Sequence, residues 1–465
     1  MAKQRHKVVE ITDLLAPTSP PSCPKNQSSL SLSLAMADFV PLSGGPGESQ
    51  ESQESRESQG PRETKQRRPR LASLDVFRGL SIALMIFVDY GGSILPFIAH
   101  SPWNGVHLAD FVMPFFLFIA GISLSLVYKI TPNKGQATWN ASLRAIKLFL
   151  LGIILQGGYF HGVNSLTFGV DIDKVRWLGI LQRIAIGYIV AALCEIWSSS
   201  LIWKDVGNGF FWKYFLNWVV IFSLSGIYVG LSYGLYVPDW QFKLQQTSLV
   251  CHSDDCSFQT VKCSVRGDLG PACNAAGMID RYVLGIEHLY KKPVYRNLEV
   301  CKSYKNSQAS NEPPSWCLAP SEPEGILSSL TAAVTCIIGL HFGHILVQLE
   351  DHKDRISRWL LFSLSIFTLA LGLTFAGFPL NKSLYTISYM LLTTATAGFT
   401  FCVLYLVVDV YGYRSPTFIL EWMGRHSLSI FVLVASNIAI IVIQGFYWRK
   451  PQNNIVHWVI SLVHS

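Results

Sequence analysis

The segments DVFRG (75–79), VDYGG (88–92) and HSPWNGVHLADFVMP (100–114) place polar side chains within and between two long apolar runs. Hydrocarbon cannot solvate an ionisable group, so such residues need protein or water partners at membrane depth and mark candidate functional sites. The residues concerned are Asp75, Arg78, Asp89, His100, Trp103, Asn104 and Asp110. They predict membrane helices that enclose a polar site.

The composition of the whole chain is that of a membrane protein. Half of the 465 residues are apolar and 14% are charged, with a mean hydropathy of +0.32, which is too apolar for a soluble globular protein. Apolar windows of about 20 residues, long enough to cross hydrocarbon, lie at 80–98, 106–128, 143–160, 176–197, 214–237, 324–347, 357–378, 384–408 and 418–446. A tenth window begins at Ile455. The pattern predicts an all-α polytopic membrane protein with about ten transmembrane helices, and it leaves truncation of the last helix open.

The basic residues predict the orientation of these helices. The net charge of +7 is spread over short connectors rather than over one compact domain, so a nucleic-acid partner is not expected. Lys and Arg concentrate in the cytosolic loops of membrane proteins. The run KQRRPR at 65–70 directly precedes the first span, which predicts a cytosolic N-terminus. Alternating crossings then place the loop at 238–322 on the luminal or extracellular side.

The same loop contains six of the ten cysteines of the chain. They are Cys251, Cys256, Cys263, Cys273, Cys301 and Cys317. An even cluster of cysteines in a long hydrophilic loop indicates disulfide bonds, which persist in an oxidising compartment. Zinc is the alternative, but the spacings match no zinc pattern well, so no metal site is predicted. The pairing of the cysteines stays open.

Residues 1–70 are rich in Ser, Gln, Glu and Pro and lack the apolar mass to fold. We therefore predict a disordered cytosolic tail, followed by a transmembrane domain at 71–465. Within the tail, Glu10 followed by Leu14 and Leu15 resembles an acidic dileucine sorting signal. This pattern favours a vacuolar or lysosomal membrane, with the plasma membrane as the alternative.

Charged residues of the first span lie on one side of it. At about 100° per residue, Asp75, Arg78 and Asp89 fall within a stripe of about 60° on one helix. Asp75 and Arg78 can form an ion pair at the cytosolic end. That pair either anchors the start of the helix or binds an anionic ligand, and both interpretations stay open.

A catalytic role is predicted for His100, beyond the luminal end of the first span. Histidine can accept a proton near neutral pH or attack an acyl group directly. Asp89 on the preceding helix is the expected catalytic partner. Asn104 lies four residues further on, and Asp110 begins the next span.

The fourth window adds Arg176, Gln182 and Arg183 as candidate binding residues. A buried arginine needs an anion, which would be Asp89, Asp110 or a bound phosphate. An internal salt bridge is an equally good interpretation of either arginine.

Several motifs together resemble the heparan-alpha-glucosaminide N-acetyltransferase family. They are RLASLDVFRGLSIALMIFVDYGG, HSPWNGVHLADFVMPFFLFIAG, DKVRWLGILQR, GMIDRYVLGIEHLY, PEGIL and NKSLYTISY, in this order between residues 70 and 389. The resemblance implies transfer of acetyl from cytosolic acetyl-CoA, as co-substrate, to the amine of a luminal amino sugar or glycan. His100 matches the family's active-site histidine in its H-x-x-W-N-G setting, and Asp89 stands where the animal enzyme has an asparagine.

The resemblance assigns further expected roles. Arg78, and less directly Arg183, would meet the phosphates of coenzyme A or acidic side chains. His100 would either deprotonate the acceptor amine in a ternary complex or carry the acetyl group transiently. An N–H of Trp103 or Asn104 would stabilise the oxyanion. The alternatives are a polytopic solute transporter and an inactive, truncated family member, and a homodimer is left open.

Overall fold

The computed structural model describes residues 71–128 apart from 93, 94 and 96, together with 133–156, 160–161, 169–201, 214–243, 258–302 and 314–436. The predicted disordered tail, the predicted tenth helix and two disulfide candidates, Cys251 and Cys256, lie outside these residues. Everything that follows concerns the described part of the chain.

This part is mostly helical. The helices are α1 (Ala72–Gly91), α2 (Val112–Val127), α3 (Lys134–Gln156), α4 (Ile180–Leu201), α5 (Phe215–Gly234), α6 (Ala275–Leu284), α7 (Glu299–Lys302), α8 (Ile326–Gln348), α9 (His352–Phe375), α10 (Ile387–Tyr405), α11 (Phe418–Arg425) and α12 (Ser427–Ala435). A 3-10 turn at Leu108–Phe111 leads into α2, and a π-helical turn at Leu406–Val410 extends α10.

Seven helical segments of the described chain are long and apolar enough to cross a membrane: Leu108–Val127, Lys134–Gln156, Ile180–Trp197, Phe215–Gly234, Ile326–Gln348, His352–Phe375 and Ile387–Val410. Helices α11 and α12 meet at 77° and would form an eighth if they are one broken span. α1 has the length of a span, but each stretch of 18 residues in it includes Asp75, Arg78 and Asp89. The helices support the predicted polytopic class.

The helices differ in how much of their apolar surface the protein covers. Of the most apolar stretch of α8, 83% is buried, against 17% for α3. A helix that is apolar all round is either enclosed by other helices or faces lipid. α8 and α2 therefore form the centre of the bundle, whereas α3, α5 and α9 present apolar side chains outward.

Glycines let two pairs of helices approach until their backbones touch. A side chain at Gly121 of α2 would clash with the Cys336 carbonyl of α8, and one at Gly339 would clash with the Phe118 carbonyl of α2. Likewise, Gly424 of α11 lies against the backbone of Asp75 in α1. Small residues at crossings are typical of membrane helices because close approach increases van der Waals contact.

The long cysteine-rich loop is a small folded region rather than an open loop. Antiparallel ribbons pair β3 (Tyr236–Val237) with β6 (Val265–Arg266) and β4 (Trp240–Lys243) with β5 (Phe258–Val261). A third ribbon, β1 (Phe160–His161) with β2 (Gly169–Val170), follows α3. The prediction of an all-α chain missed these ribbons, because strands of two to four residues carry little hydrophobic periodicity.

Two disulfide bonds hold this region together. Cys263 bonds Cys273 in the turn that follows β5, and Cys301 bonds Cys317. Four of the six predicted disulfide cysteines are therefore bonded, in a pairing that the sequence left open.

Candidate active site

His100 lies in the connector between α1 and α2, at the end of the bundle where several helices begin. Asp110, in the turn before α2, hydrogen-bonds His100, and the Tyr389 hydroxyl in the first turn of α10 donates to the Asp110 carbonyl. Arg183 in the first turn of α4 donates to the Ser328 hydroxyl in the first turn of α8. The starts of α2, α4, α8 and α10 thus converge near the end of α1.

The carboxylate partner of His100 is Asp110, not Asp89. Nδ1 of His100 lies 2.9 Å from Oδ1 of Asp110. The backbone N–H groups of Ser101 and His107 donate to Oδ2 of Asp110, at 3.2 and 2.9 Å. The Asp110 side chain is fully buried, and these hydrogen bonds fix its orientation.

Asp89, the predicted catalytic partner of the histidine, is not the carboxylate that hydrogen-bonds it. Asp89 is exposed in the last turn of α1, and Asp110 makes the contact with Nδ1 of His100. The charge of Asp89 acts on His100 and Lys382 through space. Its catalytic role stays a prediction, because a stripe on a helix does not show where a connector beyond that helix returns.

The imidazole of His100 keeps one nitrogen open to a substrate. An imidazole that donates from Nδ1 to a carboxylate has its lone pair on Nε2, where it can accept a proton or attack a carbonyl. The side chain of His100 is 37% exposed, in contrast to its buried partner. The pair is therefore an oriented base or nucleophile that remains accessible.

Lys382, which the sequence analysis did not single out, completes the cluster. Its Nζ lies 2.8 Å from Nδ1 and 3.3 Å from Nε2 of His100, and 3.5 Å from Oδ1 of Asp110. It belongs to the short connector between α9 and α10. In the sequence, a lysine between two apolar windows indicates only a loop, although NKSLYTISY was one of the motifs that carried the family resemblance.

The neighbour of Lys382 ties the two connectors together. Asn104 and Asn381 form a β-bridge, the Asn381 amide donates to Oδ1 of Asn104 at 3.2 Å, and the Gly105 N–H donates to the Leu380 carbonyl at 2.8 Å. Asn104 is exposed, so its own amide N–H groups can reach a ligand. Asn381 is fully buried, which also makes its N-K-S motif a poor glycosylation site.

Trp103 has a structural contact in place of the predicted oxyanion contact. Its indole N–H donates to the Leu269 carbonyl at 2.9 Å, and its ring packs edge-on against Tyr295. The side chain is 6% exposed. Trp103 therefore attaches the connector between α1 and α2, which contains His100, to the disulfide-bonded region.

Arg176 forms an internal salt bridge, the alternative that the sequence left open for it. Its guanidinium pairs with Glu322 and Glu324, in the segment that leads into α8. Neither Asp89 nor Asp110 is its partner. Burial raises the pKa of Glu322, and the guanidinium of Arg176 opposes that shift. Arg176 lies before α4, whereas Arg183 lies in its first turn.

Arg183 and Gln182 lie at the same end of the bundle as His100. Arg183 donates to the Pro323 carbonyl and the Ser328 hydroxyl, and its guanidinium lies over the ring of Tyr385. Gln182 accepts a hydrogen bond of 3.2 Å from Gln156. Arg183 is buried at this end of the bundle, and its predicted contact with coenzyme A phosphates stays a prediction.

Asp75 and Arg78 occupy the other end of α1. Nη1 of Arg78 lies 3.0 Å from Oδ1 of Asp75, as the spacing predicted, and Nη2 contacts the Ser123 hydroxyl of α2. The sixteen residue-to-residue steps from Asp75 to Gly91 correspond to about 24 Å of helix. The two polar clusters are thus separated by most of the length of α1.

Comparison with known proteins gives this arrangement a context. Residues 70–223 match a family model described as "Heparan-alpha-glucosaminide N-acetyltransferase, catalytic". The heparan-alpha-glucosaminide N-acetyltransferase of Homo sapiens is 30% identical over 390 residues, which cover 78% of this chain and 52% of the human protein. The Mus musculus protein of the same name is 30% identical over 402 residues, 80% of this chain and 54% of its own length. The chain spans about half the length of these curated relatives.

Proposed function

The chain belongs to the heparan-alpha-glucosaminide N-acetyltransferase family, and we propose that it transfers an acetyl group from cytosolic acetyl-CoA across a membrane to the amine of a luminal amino sugar or glycan. The observation that carries the proposal is the His100–Asp110 pair, with one imidazole nitrogen accessible. A solute transporter, the alternative from the sequence, is not favoured, because the named relatives are acetyltransferases.

The two ends of α1 suit the two substrates of this reaction. Coenzyme A carries phosphates and does not cross lipid, so the proposed donor stays at the Arg78 end and only its acetylated arm reaches inward. Arg78 offers a guanidinium that is 20% exposed and already next to one carboxylate. A guanidinium in that position can also meet an anionic phosphate.

At the other end, His100 would act on the acceptor. In a ternary complex the acceptor amine attacks the acetyl carbonyl carbon while Nε2 of His100 takes the amine proton. The C–S bond then breaks, and the thiolate leaves with that proton as free coenzyme A. If His100 instead carries the acetyl group, the reaction proceeds in two half-steps with ping-pong kinetics.

The proposal includes the orientation expected from the sequence. The N-terminus would lie in the cytosol, the bundle would contain about ten transmembrane helices, and the disulfide-bonded region would lie in the lumen of a lysosome or vacuole. A homodimer is part of the same set of expectations. The seven helices able to span a membrane support the coarse arrangement.

Replacement of His100 tests the proposal directly. We expect His100→Ala to reduce acetyl transfer from labelled acetyl-CoA to an amino sugar by at least about 100-fold, because it removes the base or nucleophile. Asp110→Asn should also lower the rate, since it removes the carboxylate that orients the imidazole. His352→Ala, at an exposed position at the start of α9, serves as the control.

Each variant is purified in detergent, and its thermal unfolding is compared with that of the wild type before activity is measured with a panel of amino sugars. Wild-type activity in folded His100→Ala protein would disprove the assignment of the site.

A further inference from the structure

Asp110 and Lys382 compete for the same ring nitrogen of His100. Nδ1 of His100 is within hydrogen-bonding distance of both Asp110 and Lys382. Toward the carboxylate this nitrogen must donate a proton, and toward an ammonium it must accept one. Only one of the two contacts can be a hydrogen bond at a time.

The two arrangements differ in reactivity. When Nδ1 accepts from Lys382, the ring proton is on Nε2, and the exposed nitrogen has no lone pair. When Nδ1 donates to Asp110, the lone pair is on Nε2, which lies 3.3 Å from Nζ of Lys382 and can accept from it. In the reactive arrangement the ammonium therefore lies beside the reactive nitrogen, and a carbonyl oxygen that enters the site can replace Nε2 as its acceptor.

The surroundings of Lys382 determine its charge. Its side chain is 20% exposed. Burial lowers the pKa of the Lys382 ammonium, while the carboxylates of Asp110 and Glu324 oppose that shift. Arg183 adds a second positive charge in the vicinity. Glu324 in turn pairs with Arg176, so carboxylates and cations alternate through the cluster.

We propose that Lys382 is a catalytic residue, whose ammonium donates a hydrogen bond to the acetyl carbonyl oxygen while His100 acts on the same acetyl group. The inference rests on the proposed function and deepens it. Lys382 would take the oxyanion role predicted for Trp103 or Asn104, of which Trp103 donates its indole N–H to the Leu269 carbonyl. The distance of 3.3 Å from Nζ to Nε2 places the donor beside the atom that reacts.

The proposed acetyl transfer needs no group beyond the two substrates, His100 and Lys382. As the nucleophile bonds to the carbonyl carbon, the π electron pair moves to oxygen, and the Lys382 ammonium stabilises the resulting oxyanion. The tetrahedral intermediate collapses by breaking the C–S bond, and the electron pair leaves on sulfur. In a ternary complex, the proton that His100 took from the amine neutralises the thiolate. Lys382 gains and loses no proton in the cycle.

The experiment compares Lys382→Met with Lys382→Arg in acetyl transfer from labelled acetyl-CoA. For Lys382→Met we expect kcat to fall roughly 100-fold to 1,000-fold, the effect typical of removing one oxyanion donor, with little change in KM for acetyl-CoA. Lys382→Arg keeps a charged hydrogen-bond donor and should lose less activity.

Lys174→Met is the matched control, because it removes a lysine that is 45% exposed and paired with the neighbouring Asp171. Should Lys382→Met fail to fold, Lys382→Gln replaces it, with the same expected loss of kcat. A wild type that transfers acetyl, together with a Lys382→Met variant of equal kcat, would overturn the role of Lys382 alone. A folded wild type that transfers acetyl to no amino sugar would overturn the proposed function itself.

Discussion

At the residue scale, His100 depends on side chains at very different distances along the chain. Asp110 is ten residues away, whereas Lys382 is 282 residues away. The first contact could be anticipated, because both residues belong to one polar motif. The second could not, because nothing in the sequence shows that the connector before α10 returns to the connector before α2.

Asp280 joins the disulfide-bonded region to the start of α8. Its Oδ1 accepts a hydrogen bond of 2.9 Å from the Ile326 N–H. Burial raises the pKa of Asp280 to about 6, although Ile326, Arg183 and Arg281 oppose the shift. A carboxyl group whose pKa is raised by folding adds to stability below its unfolded pKa, and this contribution is lost as pH rises through the folded value.

We therefore predict that the wild type loses stability between about pH 4 and pH 6 through this group, by at most about 3 kcal/mol. Asp280→Asn keeps the oxygen that accepts from Ile326 but does not titrate, so it should lack this part of the pH dependence. Thermal unfolding of both proteins in detergent at pH 4.5 and pH 7 provides the measurement. Asp173→Asn, at an exposed position, is the control. Parallel pH dependence in wild type and Asp280→Asn would contradict the prediction.

At the element scale, the site depends on how closely α2 and α8 cross. Their backbones touch at Gly121 and Gly339. This contact sets the position of α2 along the axis of α8. It therefore also sets where Asp110, just before α2, lies relative to Glu322 and Glu324, just before α8. The apolar windows predicted both helices within a few residues, but a pattern of apolar residues does not say which helices are neighbours.

Gly339→Ala tests this crossing. The added methyl group would overlap the Phe118 carbonyl, and overpacking of this kind costs about 1–3 kcal/mol. We expect a lower thermal midpoint and reduced acetyl transfer. Gly372→Ala in α9 is the matched control, since nothing lies within 4 Å of the methyl group there. Equal stability of Gly339→Ala and the wild type would show that the crossing tolerates wider spacing.

At the scale of the whole molecule, one end of the bundle is covered by the disulfide-bonded region and the other is not. Trp103 attaches this region to the connector that contains His100, and Asp280 attaches it to the start of α8. Arg176 connects the segment before α4 with the segment before α8. The proposed luminal side is thus held together by hydrogen bonds and ion pairs between connectors, as well as by disulfides.

Glycosylation can determine the side on which this region lies. Asn297 is exposed and is followed by Leu298 and Glu299, so Glu299→Thr creates an N-x-T sequon on the surface. We expect this variant, expressed in eukaryotic cells, to gain one glycan, seen as a mass shift that peptide N-glycosidase removes. The native sequon at Asn140, on the proposed cytosolic side, should stay unmodified. Absence of the shift in folded Glu299→Thr protein would contradict the luminal assignment.

The sequence by itself indicated a helical, polytopic membrane protein with disulfides in its cysteine-rich segment, and it singled out His100 as the predicted catalytic residue. Apolar length, charge bias and motif chemistry are local properties, so each can be read along the chain. The tertiary structure alone showed that Asp110 rather than Asp89 contacts His100 and that Lys382 joins them. It also showed that Arg176 pairs with two glutamates, whereas Arg183 donates to a carbonyl and a hydroxyl. These outcomes depend on which connectors meet, and that is set by close helix crossings between segments hundreds of residues apart.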